Sequence, residues 1–258
     1  MLFPSKAEMR AYEVDGYFVR KGFLSPDEVT DFRESSRRQL EEESKGGNVM
    51  KKGDKSGNAT LLKLWNHAGD DKYGLLARDE RMVRISEALI GEEIYLYSHK
   101  MTMKQPREGG AWEWHQDYGY WYNNGCLSPE MLSIYVSLDP ANRENGCLQV
   151  LKGSHILGRL NHVREDGQTN VEAPYLEAAV ERFEHVYVEM EPGDALVFHC
   201  NLLHRSDANN SDTYRWGYIC SYNAVHNAPF MQARDYGHFQ KLETVPAGSF
   251  MNAKVAAE

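Results

Sequence analysis

Cysteine is scarce in this chain and unpatterned. Cys126, Cys147, Cys200 and Cys220 form no C-x-x-C pair, so neither a disulfide framework nor a zinc ribbon is expected, and the four read as reduced and mostly buried. Basic residues are also short: 29 Lys and Arg stand against 38 Asp and Glu, a formal net charge of −9. The cations are scattered, which argues against nucleic acid and against an anionic membrane as partners, since both reward clustered Lys and Arg. No segment approaches the ~20 apolar residues of a membrane span, and Met1-Leu2-Phe3-Pro4-Ser5-Lys6 has no long apolar stretch behind it. A low-complexity linker and internal repeats are missing too. The expectation is a cytoplasmic protein of one domain over 1–258, a monomer or homodimer acting on a small molecule.

What is present begins helical. Ser25-Pro26-Asp27-Glu28 is a helix start: serine can cap, proline suits the first turn, and the acids face the positive end of the dipole. The helix is expected to run through Val29, Phe32 and Leu40 into Glu41-Glu42-Glu43 and to end at Gly46-Gly47-Asn48. Lys51 to Gly57 then reads as a mobile loop, and a second helix covers about 81–90, stopped at Gly91. From Ile94 the apolar period changes from near 3.6 to 2. Ser98, Lys100, Thr102 and Lys104 share one face, with Tyr95, Tyr97, Met101 and Met103 on the other. Ser133, Tyr135 and Ser137 likewise fall together, and Arg215 lies opposite Tyr214 and Trp216. Small polar residues and an arginine on inner strand faces suggest a closed or sandwiched sheet holding a polar ligand, with helices packed outside. The division expected is a helical part over about 1–92, a strand core over about 93–225 and a C-terminal extension over about 226–258.

Chemistry concentrates in Trp112-Glu113-Trp114-His115-Gln116-Asp117-Tyr118-Gly119-Tyr120-Trp121. On an extended segment residues i and i+2 point the same way, so His115 and Asp117 can grip one metal from one side. A distal histidine would complete a two-His, one-carboxylate facial triad, which leaves coordination positions open and is typical of non-haem Fe(II) sites. The run from Pro192 to His204 offers two, His199 and His204. Ser154 and Ser206 have no adjacent base, so hydrolase chemistry is not expected.

Taken in order, these segments resemble the phytanoyl-CoA dioxygenase-like Fe(II)/2-oxoglutarate oxygenases over roughly Tyr12 to Tyr222. The resemblance is carried by Lys104-Gln105-Pro106 leading to His115-Gln116-Asp117, by Glu144-Asn145-Gly146-Cys147-Leu148 with Lys152-Gly153-Ser154-His155, and by Pro192-Gly193-Asp194 through His204-Arg205-Ser206 to Arg215. It implies a mainly β protein with flanking helices, folded as a double-stranded β-helix of the jelly-roll, cupin-like kind. It also implies His115, Asp117 and His204 as catalytic iron ligands, its register selecting His204 over His199. Arg215 would take the distal carboxylate of 2-oxoglutarate, with O2 as second cosubstrate. Thr102, Ser133, Tyr135 and Ser206 match positions that bond the cosubstrate or line its pocket. Leu62 to His67 resembles the family's upstream segment, in which a lysine, here Lys63, approaches the cosubstrate. Asp117 stands where related halogenases carry a small residue, so hydroxylation coupled to release of succinate and CO2 is expected.

For the substrate, Tyr118, Tyr120 and Trp121 can wall a pocket for an apolar or cationic ligand, and Trp121 resembles a substrate-contacting tryptophan of ectoine hydroxylases in the same superfamily. No dense Lys/Arg patch suits the phosphates of a CoA thioester, which points to a small metabolite or natural-product intermediate. The loop from Arg159 to Asn170 reads equally as a lid or as a solvated loop. The alternative is a cupin-type metal protein that binds a ligand or acts without 2-oxoglutarate.

Overall fold

The computed structural model describes residues 1–47, 49–165, 167–231 and 241–255. Asn48 and Asp166 therefore lie outside the described residues, as does part of the C-terminal extension. In chain order come α1 (Lys6–Asp15), β1 (Tyr17–Arg20), α2 (Pro26–Lys45), β2 (Met50–Gly53), β3 (Ala59–Trp65), α3 (Lys72–Ala77), α4 (Glu80–Ile90) and β4 (Ile94–Lys104). There follow β5 (Trp112–His115), α5 (Asp117–Asn123), β6 (Met131–Ser137), β7 (Leu148–Lys152), β8 (His162–Glu165), β9 (Gln168–Val171) and α6 (Ala173–Arg182). The last strands are β10 (Glu184–Val188), β11 (Ala195–His199), β12 (His204–Ser206) and β13 (Arg215–Ala224).

The strands form two facing antiparallel sheets. The major one runs β1-β11-β6-β13-β4-β3-β2, the minor one β10-β7-β12-β5, and β8 pairs with β9 as a separate hairpin. Alternation along the major sheet sorts its two faces. Met101, Met103, Ile134, Val136, Val197, Trp216 and Tyr218 pack outward against Phe32, Tyr73, Leu76, Met82 and Ile85 of the helical layer. Tyr135, Leu196 and Phe198 point inward to Cys147, Val150 and Leu202. The helices that supply the outer layer start as their sequence dictates: Ser25 caps α2 in a reciprocal box with Glu28, with Pro26 at the first position.

The first 92 residues are less uniformly helical than their pattern suggests. β1 pairs with β11, and β2 with β3 extends the major sheet beyond β4. Lys51 and Lys52, read as part of a mobile loop, lie on edge strand β2, where lysines suit an unpaired edge and conceal the strand period. The Asp54 carboxylate accepts from the Ser56 and Asn58 amides at 2.9 and 3.0 Å and closes the turn.

One glycine in the sheet makes room for the site. A Cβ on Gly217 would stand 2.1 Å from Cζ of Tyr135, so only glycine lets the Tyr135 ring lie across β13.

Candidate active site

His115 and His204 are directly opposed partners in the β5·β12 ladder, which is why two residues so distant in sequence present their rings side by side, 4.1 Å between centroids. Each ring is oriented in the same way. Nδ1 of His115 donates to the Glu113 carbonyl at 2.7 Å, and Nδ1 of His204 to the Leu202 carbonyl at 2.9 Å. With the proton held on Nδ1, the Nε2 lone pair of each ring faces inward, the arrangement a metal needs. Burial, followed by the neighbouring His204, pushes the His115 pKa down and keeps that lone pair free.

Asp117 reaches the same point by a different route from the one the i, i+2 argument assumed. β5 ends at His115, and Asp117 is the first residue of α5. Its Oδ1 lies 4.0 Å from Nε2 of His115 and 3.9 Å from Nε2 of His204. Oδ2 accepts the Ser133 hydroxyl at 2.9 Å. Burial alone would raise this carboxyl's pKa, but His204, then Lys100, His115 and the Ser133 bond hold it below its usual value. The three side chains are buried, each offering one ligand atom, all within 4.8 Å of one another. The set fits a divalent cation bound on one side only.

His199 is excluded from this cluster. Its Nδ1 accepts the Asn201 amide at 3.0 Å, and its ring packs on Tyr12 and His155.

Gln116, between the two ligands, ties three segments together. Its side-chain amide donates to the Gly158 and Asn201 carbonyls at 2.7 and 2.8 Å and accepts the Leu160 amide at 2.8 Å. Its own backbone N–H donates to Nε2 of His162 at 3.0 Å. A Cβ on Gly119 would meet that imidazole at 2.3 Å, so glycine there lets α5 and the β8–β9 hairpin approach.

Behind the triad an inner chamber is lined by Thr102, Tyr135, Phe198, Ser206, Arg215 and Ile219 among others. Arg215 is 3% exposed, neither its Nε nor the Tyr135 hydroxyl has a hydrogen-bond partner among the described residues, and the guanidinium carbon lies 5.4 Å from the Tyr135 ring centroid. Buried polar atoms without partners are rare in native proteins, and a chamber carrying two of them beside a guanidinium has the chemistry to hold a carboxylate. An outer chamber of about 380 Å³ opens on the other side of His115 and Asp117, within the usual size of small-molecule sites. Met50, Lys52, Leu62, Leu64, Lys100 and Trp121 contribute to its wall.

Three residues named from sequence stand elsewhere. Lys63 lies on the face of β3 opposite Leu62 and Leu64, and its ammonium pairs with Glu43 at 2.5 Å; strand parity turns it away from the cosubstrate. Tyr118 points into a cluster with Tyr95, Tyr97 and Cys126 and donates to the Cys126 carbonyl at 3.2 Å. Because α5 is helical, it is Asp117, Tyr120 and Trp121, spaced i, i+3, i+4, that share the chamber face. Ser133 bonds the iron-side carboxylate and Ser221, and is not among the residues lining the inner chamber. Conversely, Lys100 lines both chambers, and only its shared face with Thr102 hinted at this.

The phytanoyl-CoA dioxygenase family model matches residues 12–217. The chain belongs to this family. Among its relatives, an L-proline trans-4-hydroxylase of Streptomyces griseoviridis is 29% identical over 187 residues, 63% of this chain and 67% of that protein. An ectoine dioxygenase of Stutzerimonas stutzeri is 26% identical over 253 residues, 90% and 82% of the two chains. The crystal structure of EctD from S. alaskensis with 2-oxoglutarate and 5-hydroxyectoine superimposes with a TM-score of 0.79 at 22% identity, covering 95% of this chain and 89% of that one. The double-stranded β-helix expected for the family is the fold observed, and the chemistry is that of an Fe(II)- and 2-oxoglutarate-dependent dioxygenase. Among the described residues no helix is long and apolar enough to cross a membrane.

Proposed function

We propose that this protein, as one oxygenase domain, hydroxylates a small metabolite, with Fe(II) held by His115, Asp117 and His204 and the distal carboxylate of 2-oxoglutarate held by Arg215. The observation that carries the reading is the convergence of Nε2, Nε2 and Oδ1 beside a buried arginine whose Nε has no partner. Bound iron with 2-oxoglutarate supplies the oxidising chemistry, consuming O2 and releasing succinate and CO2. The chain's own groups bind, orient and exclude water. Glu113 and Leu202 carbonyls fix the imidazole tautomers, and Ser133 turns Asp117. Tyr135, with Thr102 and Ser206 beside it, frames the inner chamber, while Tyr120 and Trp121 wall the outer one.

The presence of Asp117 favours hydroxylation over halogenation. The relatives named for L-proline and ectoine support a compact substrate, as does the chamber volume. Four buried free cysteines support a cytoplasmic setting. The decisive test is succinate formation by Fe(II)-loaded protein given 2-oxoglutarate and O2, with metal content measured alongside. His204→Ala should lose both iron and activity and His199→Ala should keep both; iron retained at full stoichiometry in His204→Ala would dismiss the assignment.

A further inference from the structure

The outer chamber has an uneven charge. Lys52 and Lys100 both line it, and among the described residues its one acid is Asp117, whose Oδ2 accepts the Ser133 hydroxyl. The rest of its wall is mostly apolar or aromatic, with uncharged polar groups from Ser98, His115, Asn123, Asn124 and Thr169.

Lys100 differs from the enclosed cations that are matched by an acid. Lys63, Lys72 and Arg81 each meet a carboxylate, at 2.5, 2.5 and 2.7 Å. The Lys100 side chain is half-buried on β4, yet among the described residues its ammonium has no hydrogen bond and no ion pair; its charge is felt at Asp117. An enclosed ammonium whose three N–H groups meet no acceptor among the described residues is free to bond an anion entering the chamber. Lys52, across the chamber, bonds only the Gly167 carbonyl among the described residues, and burial followed by Arg164 pulls its pKa down; an anion would favour its charged form as well.

Strand parity directs Lys100 to this place. Leu64 is its cross-strand partner and Leu62 that of Thr102, so the ammonium stands beside an aliphatic wall. We propose that Lys100, assisted by Lys52, holds the carboxylate of a compact carboxylic-acid substrate whose hydrocarbon body lies against Leu62, Leu64 and Trp121. This inference rests on the oxygenase reading and deepens it by naming the substrate class. A purely cationic substrate is disfavoured by two lysines faced, among the described residues, by no acid but Asp117, although the aromatic wall leaves room for the ammonium of a zwitterion.

Anchoring one carboxylate on β4 fixes which part of the molecule faces the triad. The acid group is held beside Lys100 and the metal ligands, and the body extends along the chamber.

The test uses the full chain loaded with Ni(II) and 2-oxoglutarate, which does not turn over. A panel of compact acids, including L-proline and cyclopentanecarboxylate, is titrated calorimetrically beside the matching carboxamides. At least one acid should bind roughly tenfold or more tightly than its amide, and Lys100→Met should bring that ratio close to one. 2-Oxoglutarate affinity should stay within about threefold of wild type in Lys100→Met. No acid outbinding its amide, or an unchanged preference in Lys100→Met, overturns the proposal. So does loss of 2-oxoglutarate binding with the acid preference intact, which would assign Lys100 to the cosubstrate. If Lys100→Met does not give the wild-type circular dichroism spectrum, Lys100→Gln is titrated in its place. Wild-type protein that takes up no 2-oxoglutarate counts against the oxygenase reading, a result separate from the acid-to-amide ratio.

Discussion

Removing Arg215 should move stability and cosubstrate affinity in opposite directions. Its guanidinium is buried, has an unpartnered Nε, and shares its surroundings with fully buried Lys104, which stands directly across the β13·β4 ladder. Burial, followed by Arg215 itself, holds the Lys104 pKa well below the usual lysine value, so the pair is mutually unfavourable in the absence of an anion. Arg215→Met keeps most of the stem and deletes the charge. Relief of an unsatisfied buried donor is worth about 1–3 kcal/mol, and at about 2–4 °C per kcal/mol for a domain of this size the metal-free variant should melt roughly 2–12 °C higher. Binding should change the other way. Truncating one member of a buried charge pair costs ~2–5 kcal/mol, so 2-oxoglutarate affinity should fall by about 30-fold or more. Calorimetric melting of the metal-free protein and titration of 2-oxoglutarate into the Ni(II) form measure the two effects. A lower melting temperature combined with unchanged affinity would refute the reasoning, because Arg215 would then be a structural cation with a partner.

Gly217→Ala should push the Tyr135 ring off β13, costing about 1–3 kcal/mol of stability by overpacking and raising the 2-oxoglutarate KM while leaving metal content unchanged; loss of metal instead would show that Tyr135 supports the triad. Ser133→Ala frees Oδ2 of Asp117, and iron affinity should fall by about 10- to 100-fold, read by competition with a chelator, with 2-oxoglutarate affinity of the metal-saturated protein little altered. His199 is held neutral, its pKa lowered from 6.5 to about 4 by burial and then by His155. The unfolded chain therefore binds the proton first as pH falls, so the stabilisation is complete above pH 6.5 and is lost toward pH 4, up to about 3 kcal/mol. Urea unfolding at several pH values should show that slope reduced by about one proton in His199→Gln; an identical slope would mean that other groups carry it.

How much of this was legible in the sequence depended on whether a residue's role follows from its own strand. Arg215 could be placed because Tyr214 and Trp216 flank it and must face the core, leaving the arginine inward. The triad segments were recognisable as an ordered set. Lys63 misled because one residue of register decides which face a strand residue takes, and that register is set by pairing with β4, which local pattern does not reveal. Tyr118 misled because Asp117 opens a helix where an extended run was assumed. Ser133 was placed near the centre, but its partner lies on another segment, and the choice between Asp117 and a cosubstrate is decided only in three dimensions. Lys100 sat on the right face and received no role, since an absent counter-charge is invisible until every neighbouring acid has been placed.

The bonds of Gln116 also bear on how such a protein diversifies. The segment from Gly158 to Leu160 hangs from one amide side chain, and the hairpin that follows adds Thr169 to the outer chamber's wall, while the triad and Arg215 stand on strands and the start of α5. The hairpin is thus a replaceable part: its other residues can change under selection for a new substrate while the triad stays as it is, provided the Gly158 and Leu160 main chain and His162 still meet Gln116 and Gln168 still meets Glu113. Transplanting 161–171 from a relative with another substrate is the experiment that this arrangement invites.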